Sequence, residues 1–409
     1  QRPPEWIEWH CGCFITLGTE ARQTGAFARA HQSLLAGYTL SLHVKDRVFT
    51  RVIGHMLGDV SLEMGELHRA DAYYRQALAE PSWPDEAGEK LFRTQLACGY
   101  IRLAYAWNEL DRAEQLIRET SDYALQGSFP LGEEAGLTQI ELLRLLILRA
   151  RGKTFEARSA LDALLVHLHA ASHTRQLIPD VLLWQTRAQI HDNHLQAAEQ
   201  TLGALTHLEE DCTPLQQQSI RLLAARLLLA RGEAKAALSQ LTQLLTYAQE
   251  DQHVLRALEI QLLMVLAHAS LKQEAESYQH LTHVLAQTQS EGLLRLFLDE
   301  GENMTVLLRE LLPSLTEKSL RAYVQRILHA CAHPFASSIT PPDTLPEPLS
   351  VQEQRVLALL IAGRTNPEIA QELIISINTV KGHVKNLYRK LDVTNRVEAS
   401  ATARRLCLL

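Results

Sequence analysis

A six-residue pattern recurs seven times along this chain: Gly, Asn or Ser, then four variable residues, then Ala. It reads GAFARA from Gly25, GELHRA from Gly65, NELDRA from Asn108, GKTFEA from Gly152, NHLQAA from Asn193, GEAKAA from Gly232 and SLKQEA from Ser270. Successive starts lie 40, 43, 44, 41, 39 and 38 residues apart, a period too even for chance. An apolar-periodic segment such as "SIRLLAARLLLAR" precedes each hexad, and another such as "AALSQLTQLLTYAQ" follows. Gly or Asn can take the left-handed conformation that ends the first helix. The Ala lets the second helix pack close. Each unit is therefore predicted to be a helical hairpin. One hairpin cannot bury its apolar face alone, so neighbours stack. The expected fold is all-α, a superhelical solenoid of about seven helical hairpins over residues 1–290.

The spacing exceeds that of a strict tetratricopeptide repeat and is nearer to its looser relatives. The concave surface of such a stack is expected to bind something. Composition agrees with helices: aromatic residues make up only 6% of the chain, and 19 Gly and 14 Pro among 409 residues leave little material for the turns of a sandwich or barrel. The six Cys (Cys11, Cys13, Cys98, Cys212, Cys331, Cys407) are mostly far apart, and a helical chain this large needs no disulfide staples, so a reducing compartment is expected. The most apolar stretch, Leu142 to Ala150, is interrupted by Arg144 and Arg149, so no membrane span is predicted. The protein reads as cytoplasmic. It opens Gln-Arg-Pro-Pro rather than with Met, which points to a piece of a longer chain.

Residues 291–332 read as a helical closing segment: "EGLLRLFLDEGENMTVLLRELL" and "LRAYVQRILHACA" are both amphipathic. From His333 to Pro348 the chain holds Pro334, Pro341, Pro342, Pro346 and Pro348, a Pro-rich linker and the clearest domain boundary. Residues 349–409 then form a predicted four-helix unit. Ser350 with Glu353 is a capping box. The first helix ends at Gly363, and Asn366-Pro367 supplies the next N-cap and N1. "PEIAQEL" is a short second helix. After the turn "IIS", Ser376 caps a third, and Asn395 caps a fourth, "RVEASATARRL".

At 100° per residue, Val380, Val384, Leu387 and Leu391 of the third helix form one stripe with Ile377 beside it, and that stripe is expected to pack on the first two helices. Asn378, Lys381, Gly382, Lys385 and Arg389 lie opposite, facing solvent, and Gly382 leaves a bare spot for a close backbone approach. A short helix, a tight turn and a helix with a basic outer face make a helix-turn-helix, whose second helix enters the DNA major groove. Charge agrees. The whole chain carries −7, yet residues 349–409 hold nine Lys and Arg against five Asp and Glu, a local +4 that leaves −11 elsewhere. The basic excess is confined to one module, as a phosphate-binding footprint requires.

"LSVQEQRVLALLIAGRTNPEIAQELIISINTVKGHVKNLYRKLDVTNRVEA" closely resembles the LuxR-type DNA-binding domain. The shared elements are L-x-x-x-E-x-x-V-L, G-x-x-N-x-E-I-A, T-V-K-x-H-V-x-N and R-x-E-A. The repeats, together with "EGLLRLFLDEGENMTVLL", more loosely resemble the sensor half of MalT-like LuxR regulators. The resemblance implies a four-helix domain that binds double-stranded DNA as a dimer, often through its last helix. Position by position, it implies DNA contact for Lys381 and Lys385, with Asn378, Thr379 and Arg396 as further contacts. Gly382 departs from relatives with a larger side chain there. The implied function is a transcription regulator, an activator that would meet RNA polymerase, with the repeats receiving an unknown effector ligand or protein. Relatives also carry an upstream ATP-binding domain. Here the only G-K-T is Gly152-Lys153-Thr154, Ile147 stands where the first Gly should be, and the context is a turn between helices. ATP is thus expected only through a segment upstream of this chain, and no cofactor within it.

The other motifs have plain readings. His10-Cys11-Gly12-Cys13 lacks a second Cys pair at zinc spacing. His191 and His194 read as turn residues, His383 as a packing or phosphate-facing one, and Trp107 and Trp184 as core. No G-x-S-x-G or H-E-x-x-H is present, so no enzyme is predicted. The competing reading is a helical-repeat interaction scaffold whose terminal domain docks a protein rather than DNA.

Overall fold

The computed structural model describes residues 4–79, 86–125, 134–170, 176–332, 350–361, 364–373, 375–391, 393 and 399. The predicted linker 333–348 lies outside them, as do Gly363, Asn395, Arg396 and all of the predicted fourth helix of the module except Ala399. The chain divides into two compact units, residues 1–337 and 338–409. Every regular element among the described residues is a helix.

The first unit opens with seven antiparallel hairpins. They pair α1 (Pro4–Gln23) with α2 (Phe27–Val44), α3 (Arg47–Glu63) with α4 (Leu67–Ala79), and α5 (Glu86–Ala106) with α6 (Leu110–Leu125). Next come α7 (Glu134–Ala150) with α8 (Thr154–Ala170), and α9 (Ile178–His191) with α10 (Leu195–His207). The last two pair α11 (Pro214–Ala230) with α12 (Ala234–Glu250), and α13 (Val254–Ser270) with α14 (Glu274–Thr288).

Each hexad forms the turn of one hairpin. Gly25, Gly65, Asn108, Gly152, Asn193 and Gly232 all have left-handed backbone, with φ between 59° and 83°. The residue after each donates its N–H to a carbonyl five positions back, as Ala26 does to Ala21 at 2.8 Å and Glu233 to Leu228 at 2.9 Å. That bond satisfies a carbonyl the helix end would otherwise orphan. Five residues beyond each turn, Ala30, Ala70, Ala113, Ala157, Ala198 and Ala237 are completely buried.

The seventh hexad sits two residues later than the sequence suggests. Ser270 is the last residue of α13, and the left-handed residue is Lys272, with φ 60°. Ser277 takes the buried place that Ala holds elsewhere, its hydroxyl donating to the Val265 carbonyl at 3.1 Å. Side-chain size is what the position selects, and Ser meets it once its hydroxyl has a partner.

Stacked repeats ordinarily touch only their neighbours, but here distant ones meet. After α14 come α15 (Arg295–Leu298), α16 (Gly301–Leu311) and α17 (Lys318–Ala332). Leu294 N–H donates to the Ala106 carbonyl at 3.0 Å, Trp107 Nε1 to the Glu291 carbonyl at 2.9 Å, and the Tyr105 hydroxyl to Asp299. Farther back, Phe27 N–H donates to Asp251 O at 3.1 Å, and His253 Nε2 lies 2.9 Å from Glu63. Arg226 bridges Glu300, at 2.6 Å, and Glu259, at 2.9 Å. One apolar core accordingly spans hairpins two, three and seven and the closing helices, from Leu62 and Tyr74 through Leu262 and Val284 to Phe297 and Val324.

Candidate nucleic-acid interface

The second unit holds α18 (Val351–Ile361), α19 (Asn366–Leu373) and α20 (Ile377–Leu391). Side chains set each start. Ser350 Oγ accepts from Glu353 N–H at 3.3 Å, and Glu353 accepts from Ser350 N–H at 2.8 Å, the reciprocal capping box. The cap of α19 is Thr365 rather than Asn366. Ile369 N–H donates to the Thr365 carbonyl at 2.9 Å, which makes Thr365 the flanking residue and Asn366 the first helical one. Glu368 accepts from both the N–H and the hydroxyl of Thr365, at 2.7 and 2.8 Å. Ser376 caps α20 by accepting from Thr379 N–H at 3.1 Å, and the two hydroxyls lie 2.8 Å apart.

Val380 and Leu387 of α20 are fully buried against Val356, Leu357, Leu360, Ile369 and Ala370, with Val384 and Tyr388 partly covered. The side chain of Leu391 lies outside the description. Ile377 does not join that stripe. It is 45% exposed and belongs to no core. The periodicity fixed its angle correctly, but at the first position of α20 no neighbouring helix reaches far enough to cover it.

Asn378, Thr379, Lys381, Gly382, Lys385 and Arg389 are all exposed, and all but Thr379 share the face opposite the core. A Cβ built on Gly382 would meet nothing within 4 Å, and its φ is ordinary, so neither packing nor backbone requires a glycine there. The hydroxyl of Thr379 is engaged with the cap. Lys390, the fourth cation of the helix, turns inward, its Nζ 2.8 Å from the buried carboxylate of Glu353. Burial alone would raise that carboxyl. The hydrogen bonds from Lys390 and Ser350 outweigh it and hold Glu353 below the usual glutamate range. The sequence reading had Glu353 as a cap but missed the pair, because the two residues lie 37 positions apart.

Residues 3–314 match the family described as the MalT-like TPR region. The chain belongs to that family. Residues 347–403 match the bacterial regulatory proteins of the luxR family, so the MalT-like region is followed by a luxR-family module. The HTH-type transcriptional regulator MalT of Serratia proteamaculans (strain 568) is 26% identical over 333 residues, covering 75% of this chain and 35% of that protein. That of Yersinia pestis (strain Pestoides F) is 28% identical over 334 residues, with the same coverage. The chain thus spans about 35% of the length of the curated relatives it matches.

The MalT-like region contains two sizeable hollows. One, of about 630 Å³, lies between hairpins four and five and is lined by Arg149, Arg158, Asp162, Trp184, Gln189 and Asp192. The other, of about 440 Å³, is lined by Arg22, His55, Asp59, Phe92, Cys98 and Arg102 from α1, α3 and α5. In the second, burial pushes the Cys98 thiol up to about 12 and lowers His55, leaving an inert thiol beside an uncharged imidazole. Trp184 packs on the apolar core of hairpins four and five and also walls the larger hollow. Trp107 packs against the main core. His191 ends α9 and His194 flanks the start of α10, at the turn where the sequence put them. No three His, Cys, Asp or Glu side chains converge as a metal site among the described residues. Nor is any described helix long and apolar enough to cross a membrane.

Proposed function

We propose that the chain is a sequence-specific DNA-binding transcription regulator. Its repeat region receives an effector ligand or protein, and its C-terminal module reads double-stranded DNA. One observation carries this reading: a short capped helix and a tight turn lead into α20, whose outer face exposes Lys381, Lys385 and Arg389 around Gly382. Lys381 and Lys385 meet phosphates, with Asn378, Arg389 and Arg396 as further contacts and the hydroxyl of Thr379 fixing the helix start. The bare Gly382 lets the groove wall approach. The regulators named above as relatives support the assignment to transcription. A module of about sixty residues buries little surface on DNA, which favours pairing on two half-sites. As an activator the protein would present that dimer to RNA polymerase. The two hollows of the repeats, both in the size range of small-molecule sites, are where an effector would lodge.

The test is binding of the whole chain to a pool of random duplexes across a salt series. Enrichment of a common, two-fold site with steep salt dependence is expected. No retention at low salt would overturn the reading in favour of a scaffold. Lys385→Ala is expected to weaken binding on every sequence and to flatten the log–log salt slope by about 0.9, the value for one phosphate contact.

A further inference from the structure

We propose that Ile377 is a specificity-determining residue that reads a thymine through its C5-methyl group. The inference rests on the DNA-binding reading and adds to it a contact that the cationic face does not supply.

Single exposed aliphatic side chains are ordinary on protein surfaces. This one is set apart by its place. Among the described residues of the second unit it is the only large apolar side chain classed as exposed, while every other aliphatic side chain described on α20 joins the core. It is the first residue of α20, next to the exposed Asn378 and one turn before Lys381, which is its neighbour along the helix surface. In a helix-turn-helix the first residues of the second helix are the ones that reach base edges. Thymine alone presents a methyl group in the major groove, and apolar side chains recognise it by contact. A cationic neighbourhood draws the phosphates in and sets Ile377 against the groove floor. The side chain is also stiff. Isoleucine is branched at Cβ and has few rotamers in a helix, and the cap from Ser376 to Thr379 N–H, at 3.1 Å, holds the turn that carries it. The hydrophobic contact is therefore formed without first ordering a flexible side chain.

The experiment begins with the site that the whole chain enriches from random duplexes. Each thymine in it is replaced singly by deoxyuridine, which removes the methyl and leaves the pairing edge and O4 in place. For the wild type, one position per half-site should weaken binding about fourfold, the worth of one buried methyl. For Ile377→Ala, binding to the intact site should be weaker by a similar factor, and deoxyuridine at that position should have no further effect. Ile377→Val should keep part of the sensitivity. An exposed position makes these variants neutral to folding, checked by unchanged thermal unfolding. The proposal is overturned if every deoxyuridine substitution affects wild type and Ile377→Ala by the same factor, or if the enriched site holds no methyl-sensitive thymine. If the wild type enriches no site at all, the DNA-binding reading itself fails, and that outcome is seen before any variant is made.

Discussion

The repeat region and the C-terminal module use the same cationic side chains in opposite ways. In the repeats, arginines are turned inward and matched: Arg51 is buried and grips both oxygens of Glu89, and Arg226 joins Glu300 and Glu259 across two hairpins and the start of α16. On α20, Lys381 and Lys385 stay exposed, with no ion pair to any described residue. Only Lys390 follows the pattern of the repeats. A buried, paired charge is a structural joint. An exposed cation without a carboxylate beside it remains available to a polyanion, because no internal bond must break before a phosphate is met. Counting charges along the sequence does not separate these uses. Their placement relative to the core does.

The largest effect that would sharpen this contrast is expected at Arg226. Arg226→Ala leaves Glu300 and Glu259 buried without their cation and should cost about 3–5 kcal/mol in denaturant unfolding of the whole chain. A loss below about 1 kcal/mol would show that the joint is not structural. Glu353→Gln should cost the module about 1–3 kcal/mol by leaving Lys390 without its charged acceptor, read from hydrogen exchange of amides in α18 and α20. Because the folded Glu353 carboxyl is held low, its contribution is complete above the ordinary glutamate value of about 4.3 and is lost as pH falls through the lower folded value. In Glu353→Gln that part of the acid sensitivity should vanish. At the hairpin turns, Gly232→Ala should destabilise by about 1 kcal/mol, whereas Lys272→Gly should stabilise by a somewhat smaller amount, because only the second relieves a side chain at positive φ. The smallest effect is expected at Gly382. Gly382→Ala should raise the stability of α20 by about 0.5–1 kcal/mol while weakening DNA binding, and a gain in both would refute its place at a close contact.

What could be read from the sequence was what is local. Six of the seven turns followed from a residue that tolerates left-handed backbone and an Ala five positions on. The seventh was misplaced because Lys272 and Ser277 meet the same steric demands with different letters. The cap of α19 fell one residue early for a similar reason: Asn366 has a good capping side chain, but Thr365 gains two bonds to Glu368. The exposed face of α20 followed from helical periodicity, since one stripe pays for burial and the other is left to water. Periodicity could not show that Ile377 lies beyond the reach of α18 and α19. Nothing local announced that Trp107 would meet Glu291, 184 residues away, or that Lys390 would meet Glu353. Contacts of that kind depend on how the elements are stacked, and no segment encodes them alone.

The bonds between Tyr105 and Asp299 and between Arg226 and Glu300 have a consequence for lineage. An open array of hairpins can gain or lose a unit by duplication or deletion, because each new unit needs only the neighbour it lands on. Here an inserted or deleted hairpin between α5 and α14 would carry Asp299 and Glu300 a full repeat away from Tyr105 and Arg226, orphaning buried charges at both ends. The number of repeats is therefore locked. Descendants of this architecture are expected to vary in their hairpin surfaces and in the lengths of their connections, but to count seven.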